Sequence, residues 1–138
     1  MSSKIFINLA VKDLTKTIEF FTQLGFAFNP QFTDENAACM VINDQAFAML
    51  LTEAYFRGFT PKGKEVADAH RSTEVLLAFD VASRAAVDET AAKMLALGAT
   101  EGRDPQDLGF MYSRSLNDLD GHIWEVFWMD PNAAPPQG

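Results

Sequence analysis

Val75-Leu76-Leu77-Ala78-Phe79-Asp80-Val81-Ala82-Ser83-Arg84 reads as a strand running into a capped helix, and Ile5-Phe6-Ile7-Asn8-Leu9-Ala10-Val11-Lys12-Asp13-Leu14 reads the same way earlier in the chain. Each strand is rich in β-branched and aromatic residues. Ser83 in one and Asp13 (or Thr15) in the other carries the short polar side chain that caps a first helical turn. The helix expected over 14–24 places Leu14, Ile18, Phe21 and Leu24 on one face, and that over 84–97 places Val87, Ala91, Met94 and Leu95 on one face. Gly25 and Gly98 follow directly and suit a left-handed stop. Val11 corresponds to Val81 at an offset of 70, and Leu24-Gly25 to Leu97-Gly98 at 73. The three extra residues come close to one helical turn, so the buried face keeps its direction.

Strands complete each half. Phe26 to Phe32, Ala37 to Ile42 and Ala46 to Leu51 follow the first helix, with Asn43-Asp44 as the turn between the last two. After the second helix come a short strand near Ala99-Thr100, a loop over 102–109, and a hairpin of Phe110 to Leu116 with His122 to Trp128. Asp118-Leu119-Asp120-Gly121 supplies the hairpin turn. The order βαβββ thus occurs twice, which points to a duplicated module. The expected class is α+β: two βαβββ modules, about 4–52 and 74–130, in one domain spanning 1–131, joined by a connector over 53–73. The Pro-rich tail over 132–138 is expected to be disordered. The connector, Tyr55-Phe56-Arg57-Gly58-Phe59-Thr60-Pro61-Lys62-Gly63-Lys64, is aromatic and then flexible. It reads either as a lid over a cavity or as a linker packed on a sheet edge.

Composition narrows the function. The 138 residues suffice for one domain with a core, 48% of them are apolar, and twelve are Phe, which argues against disorder. A net charge of −8 leaves few cations to replace phosphate counterions or to hold an anionic membrane surface, so neither nucleic acid nor membrane is an expected partner. No apolar run approaches the ~18–20 residues of a membrane span, and no secretion signal is apparent. One cysteine, Cys39, cannot form an internal disulfide; it reads as a small buried side chain in a cytoplasmic protein.

Val11-Lys12-Asp13-Leu14, Phe20-Phe21, Leu24-Gly25-Phe26 and Asp118-x-Asp120-Gly121-x-x-x-Glu125 together resemble the vicinal oxygen chelate superfamily, nearest to its bacterial predicted lactoylglutathione lyases. That group includes glyoxalase I, fosfomycin-resistance enzymes, extradiol dioxygenases and bleomycin-binding proteins. The resemblance implies that each module curls into half of an open mixed-sheet barrel around a cavity. It also implies one metal ligand on each of four strands, and a homodimer. Carried onto this chain, the four ligand positions fall at Phe6, at Met49 or Leu50, at Leu76 and at Glu125. Only Glu125 is a competent ligand for a hard divalent ion, since a thioether is a soft donor. No cofactor is therefore expected; the alternative is a divalent metal held by oxygens of Asn8, Glu74 and Glu125. His122 does not repair the set, because residues three apart on a strand point to opposite faces; it reads as a partly exposed turn residue. His70 could reach a cavity only if the connector folds over.

The expected site centres on Glu125, one carboxylate among Ile123, Phe127, Trp124, Val126 and Trp128. Set among Phe6, Leu50, Leu76 and Phe127, it suits acid–base work such as proton transfer beside a carbonyl, as in a lyase or isomerase. The bland account is an ion pair with Arg114 or a hydrogen bond from Tyr112. Asn8 and Glu74 alternate with Phe6 and Leu76 and could offer oxygens to a ligand. On the strand before the turn, either Ser113 and Ser115 or Tyr112 and Arg114 face inward. The function expected is a glyoxalase-like protein that binds or acts on a small organic molecule. The alternative is a non-catalytic binding or sequestering protein that grips its ligand with Phe6, Phe47, Phe127 and the connector aromatics.

Overall fold

The computed structural model describes residues 3–133. The chain falls into two compact units, Met1–Asp68 and Ala69–Gly138, whose boundary lies inside the expected connector. The first unit runs β1 (Ile5–Val11), α1 (Leu14–Gln23), β2 (Ala27–Asn29), β3 (Ala37–Val41), β4 (Ala46–Thr52) and α2 (Glu53–Arg57). The second runs β5 (Leu76–Asp80), α3 (Arg84–Ala96), β6 (Thr100–Glu101), β7 (Gln106–Asp107), β8 (Met111–Asn117) and β9 (Ile123–Met129). Both βαβββ orders are present, and most boundaries lie within a residue or two of those expected.

The two sheets share one plan. The first has the order β1-β4-β3-β2, the second β5-β9-β8-β6 with β7 also on β8. In each, the first strand pairs parallel with the last, and the remaining pairs are antiparallel. Both sheets are mixed and open; neither closes into a barrel.

Each helix covers one face of its own sheet. In the first unit Leu9, Val11, Ala48 and Leu50 turn inward and bury with Phe20 and Phe21 of α1. In the second, Leu77, Leu116, Trp124 and Val126 bury with Val87, Ala91 and Met94 of α3. The caps are as expected: Asp13 accepts from Lys16 N at 3.1 Å, and Ser83 from Ala86 N at 3.0 Å. The stops match too. Beyond Gly25 and Gly98, Phe26 N donates to Phe21 O and Ala99 N to Met94 O, each at 3.0 Å, which closes both helices through a left-handed glycine. Cys39 is buried, and burial pushes its thiol up, as for an inert core cysteine.

Three expectations need correction, and a fourth, the disordered tail, falls mostly outside the described residues. Pro30–Phe32 is a 3-10 turn, not the end of a strand, because Pro30 has no N–H for the ladder and the Asn29 side chain accepts from Gln31 N at 3.0 Å. The connector opens with helix α2, capped by Thr52 Oγ1 accepting from Tyr55 N at 3.3 Å. The loop over 102–109 contains β7, which pairs with Ser113 and Tyr112. In the tail, Asn132 and Ala133 turn back onto Asp130, at 2.9 Å to its Oδ1 and 3.0 Å to its carbonyl; positions 134–138 lie outside the described residues.

Two glycines separate backbone strain from crowding. Gly25 has φ +105° and open space where a Cβ would go. Gly121 has φ +85°, and its Cβ would lie 2.8 Å from His70 N and 2.9 Å from Ala69 C. Gly25→Ala is expected to cost about 1–2 kcal/mol of backbone strain. Gly121→Ala is expected to cost more, seen as a larger fall in the urea midpoint at unchanged m-value. Equal losses would mean that the backbone at 69–70 yields freely.

Candidate functional site

Asp118, at the turn between β8 and β9, is the buried carboxylate of the hairpin. Its Oδ1 accepts from Asp120 N at 2.9 Å and His122 N at 3.0 Å, and its Oδ2 accepts from Trp124 Nε1 at 2.8 Å. A second bond, His122 O accepting from Asp118 N at 2.9 Å, closes the turn. The Asp-Gly motif thus organises the hairpin and anchors the indole in the core. His122, read as a partly exposed turn residue, is half-buried at this turn, and His70 of the connector packs against Gly121.

Register decides which way the hairpin's side chains point. Ser115 lies opposite Glu125 and Ser113 opposite Phe127, while Arg114 lies opposite Val126 and Tyr112 opposite Trp128. Directly opposed residues share a face. Glu125 therefore shares its face with the serines and Phe127, and on the other side with Ala78 of β5 and its neighbour Leu76. Tyr112 and Arg114 belong to the α3 face, so they do not join Glu125. Tyr112 Oη donates to Asp88 Oδ1 at 2.7 Å, and Arg114 bonds Asp88 at 3.3 Å and Glu101 at 2.5 Å. The bond to Asp88, with burial, pushes the Tyr112 phenol up. Arg84 lies over the rings of Tyr112 (4.8 Å) and Trp128 (5.7 Å), which fills that face with cation–π contacts.

Glu125 has a partner that sequence reasoning missed. Arg103 Nη2 lies 2.7 Å from Glu125 Oε2 and donates to Ser113 Oγ at 3.1 Å, while its Nη1 donates to Asp104 O at 3.1 Å. The expected partners Arg114 and Tyr112 point the wrong way. Loop position 103 carried no periodic signal that could have singled it out. The Glu125 side chain is 17% exposed and that of Arg103 44%. Glu125 Oε1 has no hydrogen-bond partner among the described residues. Glu74 is exposed and precedes β5, so no ladder fixes its direction.

The first unit carries a cleft of about 350 Å³. Asn8 of β1 and Met49 of β4 form its floor; they are register partners on the face away from α1. Gln31, Phe32, Thr33, Asp34, Tyr55 and Phe59 complete its lining. Tyr55 and Phe59 make an edge-to-face pair with centroids 5.2 Å apart. Of these residues the sequence singled out Asn8, Met49 and the connector aromatics, but not Phe32 or Asp34. Phe6 is half-exposed and stacks on Phe47 at 4.8 Å. Leu50, an expected ligand contact, is only 1% exposed and pairs with Leu9 on the helix side. The register thus settles the open choice: Met49, not Leu50, shares a face with Phe6.

The same register exposes an internal equivalence. Phe6 corresponds to Leu76 at the module offset, and Asn8 to Ala78. The direct ladder partners are Met49 for Asn8 and Glu125 for Ala78. Met49 is therefore the first-unit counterpart of Glu125. Phe6, Met49, Leu76 and Glu125 are the positions at which the resemblance places ligands, and they supply two hydrocarbon groups, a thioether and a carboxylate already bonded to Arg103. This donor set does not fit a hard divalent ion.

Residues 5–43 match a protein family described as bleomycin resistance protein-like N-terminal. No curated protein matches the sequence. A hypothetical protein from S. aureus is 25% identical with a TM-score of 0.76, covering 93% of this chain and 95% of its own. A glyoxalase/bleomycin resistance protein/dioxygenase family enzyme from Burkholderia phytofirmans PsJN is 20% identical with a TM-score of 0.76, covering 90% and 96%. The genomically encoded fosfomycin resistance protein FosX from Listeria monocytogenes is 21% identical with a TM-score of 0.65, covering 93% and 93%. The fold is that of the glyoxalase/bleomycin resistance/dioxygenase proteins, the vicinal oxygen chelate group that the motifs resemble. Lactoylglutathione lyase specificity is not assigned by these likenesses. Among the described residues no helix is long and apolar enough to cross a membrane.

Burial pushes the Asp118 carboxyl above the ordinary aspartate range, against the pull of His122 and the indole N–H. A raised pKa means that the folded state holds this proton more tightly than the unfolded state. The stabilising contribution is then fully present below the ordinary aspartate pKa and is lost as pH rises through the raised one. Relative to Asp118→Asn, the wild-type protein is expected to lose stability over that window and to level off above it. Urea titrations of both proteins across acid and neutral pH measure this; a wild-type stability that rises with pH relative to the variant would contradict it.

Proposed function

We propose that this chain binds a small organic molecule, with the cleft of the first unit as the surface that receives its body. The observation that carries the reading is the cleft itself: some 350 Å³ lined by Phe32 and the Tyr55–Phe59 pair, floored by the Asn8 amide and the Met49 thioether. The lining mixes three aromatic side chains with the polar groups of Asn8, Gln31, Thr33 and Asp34, and a concave surface with placed polar groups suits a small organic molecule. The likeness in fold to a fosfomycin resistance protein and to glyoxalase/bleomycin resistance proteins supports the same class of ligand. The proposal includes work without a four-ligand metal centre, because three of the four positions offer no hard donor. From the family resemblance it also includes a homodimer, and from the lone Cys39 a cytoplasmic setting.

A second reading, proton-transfer chemistry of the lyase or isomerase kind, is favoured by one feature of the second unit. Glu125 is half-buried and held by Arg103 through Oε2, with Oε1 left to take or give a proton. Arg103 and Ser113 act here as positioning residues.

Metal analysis and native mass spectrometry of the purified protein test the first reading. The expected result is a small organic mass or none, with zinc, iron, nickel, manganese and magnesium all well below stoichiometric. One tightly held ion per chain would overturn the metal-free part. Glu125→Gln separates the two readings once a ligand is known. If the protein is catalytic through Glu125, turnover falls by about 10²–10⁴-fold while affinity changes little. Unchanged turnover removes Glu125 from the mechanism, and undetectable turnover in the wild type leaves a binding protein.

A further inference from the structure

We propose that the first-unit cleft selects an organic cation: a protonated or quaternary amine carried on an aromatic or alkyl body. This rests on the reading of the cleft as the small-molecule site and adds the charge of the ligand. Three observations point the same way. Phe32, Tyr55 and Phe59 are all exposed, Phe59 at 70%, although large aromatics gain most from burial. All three present their rings to one cleft, and exposed apolar surface gathered at one place marks a binding site.

The second observation is the sign of the lining. Among the described residues no Lys or Arg lines the cleft, while Asp34 does. Asp34 Oδ1 is occupied by the backbone N–H groups of Asn36 (2.8 Å) and Ala37 (3.0 Å), which fix the orientation of the carboxylate. Its Oδ2 has no hydrogen-bond partner among the described residues. An anion here would meet a carboxylate and the negative faces of aromatic rings with nothing to neutralise it. A cation would meet both favourably.

The third is the floor. The Asn8 amide donates to Phe6 O at 3.4 Å, a weak bond that leaves the amide oxygen as an acceptor for an N–H. Met49 adds a polarisable sulfur that sits well against an aromatic or alkyl body. With a chain charge of −8, long-range attraction also favours the arrival of cations.

A matched series tests the proposal: phenylethylammonium, 2-phenylethanol and phenylacetate, which differ chiefly in charge. Each is titrated into the full-length protein and followed by NMR at the Met49 methyl and the Asn8 and Asp34 amides. The ammonium compound is expected to bind about tenfold more tightly than the alcohol, and phenylacetate most weakly. Asp34→Asn keeps an oxygen for the two backbone N–H groups but removes the charge; it should weaken the ammonium compound far more than the alcohol and so abolish most of the preference. Phe59→Ala, at an exposed position, should weaken all three. If phenylacetate binds as tightly as the ammonium, or if Asp34→Asn leaves the preference intact, the cation assignment falls. Equal binding of alcohol and ammonium at these resonances overturns the charge selection and leaves the cleft reading standing. No shift with any of the three overturns both.

Discussion

A single buried carboxylate sets the geometry of the second unit. Asp118 accepts two turn N–H groups with one oxygen and the Trp124 indole N–H with the other. Removing either side leaves a buried polar group unpaired, at about 1–3 kcal/mol. The turn amides fix where β9 begins, and the indole fixes which face of β9 enters the core. With Trp124 and Val126 held under α3, strict alternation sends Glu125 and Phe127 to the opposite face. A one-residue slip would exchange the two sets, so the orientation of the candidate site residue is a consequence of a bond made seven residues earlier.

This divides labour between two acidic groups that look alike in the sequence. The motif Asp118-x-Asp120-Gly121-x-x-x-Glu125 contains both. Buried Asp118 is fully occupied with structure, whereas Glu125 is half-buried and bonded through one oxygen to Arg103. Reduced function after substitution at Asp118 would report on folding. Substitution at Glu125 bears on the proposed proton transfer without unpairing a buried turn.

Most of the architecture was readable from local signals. Caps at Asp13 and Ser83, glycines at 25 and 98 and the Asp-Gly turn are short-range features whose physics is complete within a few residues. The duplicated order followed from them. What escaped needed tertiary context. Arg103 sits in an irregular loop, and only folding brings it across Ser113 to Glu125. Whether Tyr112 or Ser113 faced Glu125 depended on a register that alternation alone could not choose, since both faces of β9 are apolar. The choice between Met49 and Leu50 was of the same kind. Phe32 was read as strand because the apolar run Phe26-Ala27-Phe28 was carried on through Pro30, and its place in the lining of the cleft was missed with it.

Thr52 is at once the last residue of β4 and the N-cap of α2. Its backbone N–H bonds Asn36 O at 3.0 Å, while its hydroxyl accepts from Tyr55 N. The aromatic wall of the cleft is thereby indexed to the same strand that carries Met49, with no slack residue between them. A guest entering the cleft would find its container already assembled, and would forfeit little affinity to the ordering of side chains that a looser tether would demand.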